Sequence, residues 1–363
     1  MIRYHWNKIV CLVLLWPAVV FGLPQPQEPA IKLESSFILV DAIVLSKKTN
    51  SIVGDLTRDD FVLLENGKTQ EITHFSQQEL PLSVVLLVDV SGSVQPIIDE
   101  VQRAALEALG QLKPDDKVAL MIFGSRPKLV AELTTDRDVI ASKLDDIWSE
   151  VTPEIGFATF INAGIHEAAR YLRKNTQPTE RRAILMVTDD MDTSFFRGGP
   201  PRDVVARELY EGGTTLCGII VGYNKKMMTA VTVGTAGAMT AINPIAGGML
   251  IAMRLMQHLS PLRGSAKFYA EKTGGITVST KHDEVGIVLI EMLKVLRTRY
   301  TLGYAPADLT PDGRFREIKL TVSNRVKKEK GDLTILARRG YYVRKPLTTE
   351  PQDDSLRLKK ISL

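Results

Sequence analysis

Apolar side chains begin to recur at Phe37-Ile38-Leu39-Val40, after a Pro- and Gln-containing stretch at 24–32, and this predicts a β segment preceded by a linker. Two further runs, 61–64 and 69–75, flank Glu65-Asn66-Gly67, which is hairpin grammar with Asn-Gly supplying the positive φ. The C-terminal part repeats this kind of pattern, with an apolar run at 300–304, a turn at Asp312-Gly313, alternation over 315–322 and a last run at 333–343. A β unit as short as the first buries too little surface to stand alone. Both ends of the chain are therefore expected to join in one β-sandwich.

Between these ends the period changes. Residues 83–88 form a continuous apolar run suited to a strand covered on both faces, and Val94, Ile97, Ile98, Val101, Ala105 and Leu109 follow at helical spacing. Strands at 118–123, 183–188, 216–221 and 276–278 then alternate with helices near 139–148, 161–172, 204–209, 265–272 and 284–296. Such alternation predicts an α/β fold, a doubly wound, mostly parallel sheet whose ligands sit at the C-terminal ends of its strands. The expected organisation is a signal peptide at 1–22, a linker at 23–32, an N-terminal β segment at 33–80 and an α/β domain at 81–298. An apolar insertion at 224–260 interrupts that domain, and a C-terminal β segment at 299–345 and a tail at 346–363 complete the chain.

With 24% charged and 44% apolar residues the chain reads as an ordinary globular protein, neither disordered nor multi-span. A net charge of +4 without a large basic cluster argues against nucleic acid as a partner. The one basic stretch, Arg325, Lys327, Lys328 and Lys330 with Arg338 and Arg339, reads as a solvated turn and strand face. Arg3 and Lys8 precede the apolar run 9–21, with Gly22 before Leu23-Pro24-Gln25, the pattern of an export signal. This run is short for a permanent anchor, so a periplasmic or extracellular location is expected, with an uncleaved, membrane-associated signal as the alternative. Removing the signal takes Cys11 with it and leaves Cys217 in an apolar strand pattern, a buried structural thiol with no intramolecular disulfide partner.

The first central strand ends in Asp89-Val90-Ser91-Gly92-Ser93, one carboxylate and two hydroxyls on the loop where this architecture binds ligands. These are hard oxygen donors of the kind Mg2+ prefers. Alone the motif is weak, because Ser and Asp also cap helices. Thr159, which opens a helix, and Asp189, which ends the strand 184–188, bring oxygens from two more strand-end loops.

With these three loops the chain resembles the von Willebrand factor A (VWFA) family over about 82–292, whose metal-ion-dependent adhesion site (MIDAS) uses Asp-x-Ser-x-Ser, a Thr and an Asp in this order. The resemblance implies that Ser91, Ser93 and Thr159 touch the metal directly while Asp89 and Asp189 hold it through waters. It implies a divalent cation, Mg2+ first with Mn2+ or Ca2+ as alternatives, whose open position accepts an Asp or Glu carboxylate of a protein partner. The flanks Gly54-Asp55-Leu56-Thr57-Arg58-Asp59-Asp60-Phe61, Glu65-Asn66-Gly67-Lys68, Ala270-Glu271-Lys272-Thr273-Gly274-Gly275 and Arg299-Tyr300-Thr301-Leu302-Gly303-Tyr304 also resemble exported VWFA-related proteins of acidobacteria. The chain departs from the family at Asp190, where Gly is common, and at Phe157-Ala158, where Gly-Gly is common. Asp190 is expected to add negative charge near the metal, and Asp192 either to cap the next turn, the favoured reading, or to reach the metal site itself.

Residues 227–253 carry no charge and include Met227, Met228, Met239, Met249 and Met253, broken by Asn243-Pro244 and Gly247-Gly248. Two short arms are expected, read either as a contact for a partner or membrane surface or as extra core. The reading that follows is an exported, non-enzymatic, adhesion-type protein-binding module. The alternatives are a cell-envelope structural or assembly factor in which the metal only stabilises the domain, and, more remotely, a haloacid dehalogenase-like phosphotransferase. The latter needs a second carboxylate where Ser91 stands. The scattered His5, His74, His166, His258 and His282 have no metal-ligand spacing, and no phosphate-cradling Lys loop is present.

Overall fold

The computed structural model describes residues 37–343 except 50, 78–79, 92–93, 156–157, 178–179, 193–198 and 222–264. The signal-peptide reading at 1–22 and the apolar insertion with its five methionines lie outside the described residues.

The chain opens with β1 (Ile38–Ser46), β2 (Phe61–Glu65), β3 (Lys68–Gln70) and β4 (His74–Ser76). The α/β portion follows as β5 (Leu82–Asp89), α1 (Gln95–Leu109), β6 (Lys117–Phe123), β7 (Pro127–Thr134), α2 (Arg137–Asp145), α3 (Ile161–Asn175) and β8 (Arg181–Thr188). It continues with α4 (Arg202–Gly212), β9 (Thr214–Val221), α5 (Ser265–Thr273), β10 (Thr277–Thr280) and α6 (Val285–Arg297). The chain then returns through β11 (Tyr300–Tyr304), β12 (Phe315–Val322), α7 (Asn324–Lys330), β13 (Leu333–Ala337) and β14 (Gly340–Tyr342).

The central sheet has the order β10-β9-β8-β5-β6-β7 and is parallel except for the edge strand β7. All eight residues of β5 and of β8 are buried, the mark of strands covered on both faces. Successive residues alternate between two cores. Val84, Leu86 and Val88 face the helices α1, α2 and α6, while Val85 and Leu87 face α3, α4 and α5. Each such side chain contributes on the order of 1.5–3 kcal/mol on burial, so the two cores fix the sheet's register. Strand order reverses around β5, with β6 on one side and β8 on the other, which opens a crevice beyond their C-terminal ends.

The flanking strands form two antiparallel four-stranded sheets, β13-β1-β11-β4 and β14-β12-β2-β3, each drawing on both ends of the chain. Val40, Ala42 and Val44 of one sheet share a core with Leu63, Ile318 and Tyr341 of the other, so the pair is a β-sandwich. Within it the Tyr304 and Tyr341 hydroxyls both donate to Glu65 Oε2, at 2.6 and 2.8 Å, satisfying a buried carboxylate.

Three local expectations are corrected. The run 69–75 is not one strand: after the hairpin turn at Asn66 (φ 47°) and Gly67 (φ 79°) the chain leaves β3 and crosses to the other sheet as β4, paired with β11. Strand β7 has no counterpart among the expected elements, because its side chains are mostly half-buried and lack clean alternation. The basic stretch at 325–330 forms a short helix, N-capped by Ser323, in which Arg325 pairs with Asp60 and Lys330 with Asp55. Arg338 is half-buried and donates to the Tyr210 and Gly340 carbonyls rather than facing solvent. Cys217 is fully buried, and burial pushes its thiol up, away from reactivity.

Candidate metal centre

Three loops meet at the C-terminal edge of the central sheet. Asp89 ends β5, and the following Val90 N–H donates to the Phe123 carbonyl at the end of β6, at 3.0 Å. The next residue of that loop, Gly124, accepts from Phe160 N–H at 2.9 Å, which ties the Thr159-Phe160 entry of α3 to the same edge. From the other side, Thr188 at the end of β8 donates its hydroxyl to Asp89 Oδ2 at 2.7 Å. Ser91 N–H donates to Asp89 Oδ1 at 2.9 Å, so both carboxylate oxygens are held.

Asp89 has no exposed surface, Ser91 is 2% exposed and Thr159 is 4% exposed, so these oxygens are withdrawn from bulk water. Burial pushes the Asp89 carboxyl up to about 7, and the neighbouring Asp189 carboxylate adds to the rise; bonds from Thr188 and Ser91 oppose it. Among the described residues no basic side chain is paired with Asp89. A buried carboxylate beside a second one, with hydroxyls around and no cationic side chain paired with it among the described residues, is a donor set that fits a hard divalent cation. No group of three or more His, Cys, Asp or Glu is placed to hold a metal among the described residues.

Of the residues singled out in the sequence, Asp89, Ser91, Thr159 and Asp189 stand on these adjoining loops, while Ser93 lies outside the described residues. Asp189 is half-buried and its Oδ1 accepts from Met191 N–H at 3.1 Å. Asp190 takes φ 55°, the left-handed region that explains a preference for Gly there and that Asp tolerates better than most residues. Its Oδ1 accepts from Ala266 N–H at 3.3 Å, so the added charge meets the first turn of α5. Asp192 is buried, and residues 193–198 after it are outside the described set.

Two features escape the sequence pattern. Thr188 is one, although its place directly before Asp189 at a strand end is a usable signal. The other is Asn162 on α3, which accepts from the Tyr269 hydroxyl at 2.8 Å and donates to the Pro200 carbonyl at 3.1 Å, joining α3, α5 and the entry to α4.

Residues 84–191, from β5 to the loop after β8, match the family model of the von Willebrand factor type A domain. Solved structures similar to this chain include BatB from Bacteroides thetaiotaomicron, at 17% identity over 59% of this chain and 98% of that one, with a TM-score of 0.42. A von Willebrand factor type A protein from Catenulispora acidiphila is 10% identical over 84% of this chain and 73% of the other, with a TM-score of 0.42. Proximal thread matrix protein 1 of the mussel byssus, whose structure is described as having a zinc-occupied MIDAS motif, is 15% identical over 60% of this chain and 48% of its own, with a TM-score of 0.40. All three are distant likenesses. No curated protein matches the sequence.

Proposed function

We propose that this chain is an exported, non-enzymatic protein-binding module that engages its partner through a divalent cation at the crevice above β5 and β8. The observation that carries this reading is the fully buried Asp89 carboxylate, fixed on both oxygens and facing another carboxylate, with no basic side chain among the described residues paired with it. Ser91, Ser93 and Thr159 supply neutral oxygens to the cation, and Asp89 and Asp189 supply the negative charge around it. When bound, the ion offers an electron-poor coordination position to a carboxylate from outside the chain. An oxygen-only donor set suits Mg2+ better than zinc, which favours nitrogen and sulfur ligands. No general acid, base or nucleophile is required by this role.

Export rests on the basic-then-apolar pattern of residues 3–22. No helix among the described residues is long and apolar enough to cross a membrane. Affinity capture from a cell-envelope extract, run with Mg2+ and with chelator, tests the reading. A partner held with Mg2+ and lost with chelator is expected, and Thr159→Ala should abolish capture while leaving the melting temperature nearly unchanged. Retention in both conditions refutes cation-bridged recognition, and a large fall in melting temperature makes the metal a structural element.

A further inference from the structure

Thr188 has no exposed surface, and a valine of the same shape would fill its place without needing hydrogen-bond partners. Its hydroxyl is used twice. It donates to Asp89 Oδ2 at 2.7 Å and accepts from the Asp190 backbone N–H at 3.0 Å, which one proton and two lone pairs allow. The first bond completes the grip on Asp89 begun by Ser91 N–H on the other oxygen. The second fixes the first amide after Asp189, where the chain turns at φ 55° and Met191 N–H closes onto Asp189 Oδ1 at 3.1 Å. A single buried hydroxyl thus links the end of β5 to the loop after β8.

We infer that Thr188 is a positioning residue of the cation site: its hydroxyl orients the Asp89 carboxylate and sets the Asp189-Asp190 turn, so that the two acidic groups are presented together. The inference rests on the cation-binding reading above and assigns Thr188 no contact with the ion. Partners that orient metal-site carboxylates typically matter by about 10- to 100-fold in metal affinity. A hydroxyl that served only the hydrophobic core would have no such effect.

The test uses the full chain, with Mn2+ titrated calorimetrically into the wild type, Thr188→Val and Thr188→Ser, and with melting in EDTA recorded for each. Thr188→Val is expected to weaken Mn2+ binding by roughly tenfold or more, and Thr188→Ser, which keeps the hydroxyl and loses a methyl, to stay within about twofold of the wild type. Exchange of the Asp190 amide with solvent should quicken in Thr188→Val and remain slow in Thr188→Ser. If Thr188→Val does not fold, Thr188→Cys replaces it under the same thresholds. Wild-type affinity in Thr188→Val, or an equal loss in Thr188→Ser, overturns the inference while leaving the cation site standing. Absence of Mn2+ binding by the wild type overturns both.

Discussion

A carboxylate without exposed surface at a strand end is costly to ionise, and a second carboxylate nearby raises that cost; Asp89 meets both conditions. Without a cation its pKa of about 7 lies above the value near 3.9 of an unfolded chain, so between these limits the folded protein binds more protons than the unfolded one. The cation-free fold accordingly loses stability as pH rises from about 4 to about 7 and changes little above that. Proton and cation compete for this carboxylate, so cation affinity should climb across the same window and level off above about pH 7. Calorimetric titrations in buffers of different ionisation enthalpy should detect proton release on binding, and an affinity that is flat down to about pH 5 contradicts the assignment. Asp89, Ser91, Thr159 and Asp189 are legible in the sequence because order and spacing carry the motif. Thr188 is only weakly legible: its place directly before Asp189 is a signal, but a threonine ending a buried strand is also what β propensity favours.

Asp190 shows how one residue can serve two elements. Its backbone supplies the left-handed turn after β8, and its side chain accepts from the first turn of α5. Asp190→Gly relieves the backbone but removes the acceptor, whereas Asp190→Ala removes the acceptor and leaves a Cβ in the left-handed region. Urea unfolding in EDTA should rank wild type, Gly and Ala in falling stability, with Ala lower by about 1–3 kcal/mol and Gly by under about 1 kcal/mol. Equal losses in the two variants contradict the conformational argument. The five parallel strands and their helices can be read directly from apolar runs and 3.6-residue periods. The split of 69–75 between two sheets cannot, because both pieces present the same local pattern and only pairing with β2 and β11 separates them. The helix at 324–330 is hidden for a related reason: its exposed lysines and arginines look the same on a helix as on a solvated strand.

The sandwich and the α/β portion are joined by polar and aromatic contacts. Arg181 at the start of β8 is 5% exposed, donates to the Leu296 and Arg297 carbonyls, and lies 3.5 Å from Asp41 of β1. Tyr210 of α4 packs on Phe315 and Tyr342 of the sandwich, with ring centroids 5.0 and 6.2 Å apart. Asp41→Ala leaves the Arg181 charge buried without its carboxylate and should cost about 3 kcal/mol in chemical unfolding, still in one transition. Two separated transitions in the wild type contradict joint folding of the two parts. That both chain ends meet in one sandwich is expected from the shortness of each β segment, but the Arg181 to Asp41 pairing depends on distances that no sequence period encodes. Anomalous diffraction from crystals grown with Mn2+ tests the central claim most directly. A single peak is expected among the Ser91, Ser93 and Thr159 hydroxyls, flanked by Asp89 and Asp189, with one coordination position open to solvent or filled by a foreign carboxylate. No peak there, or a shell closed by this chain's own Asp192, contradicts the account.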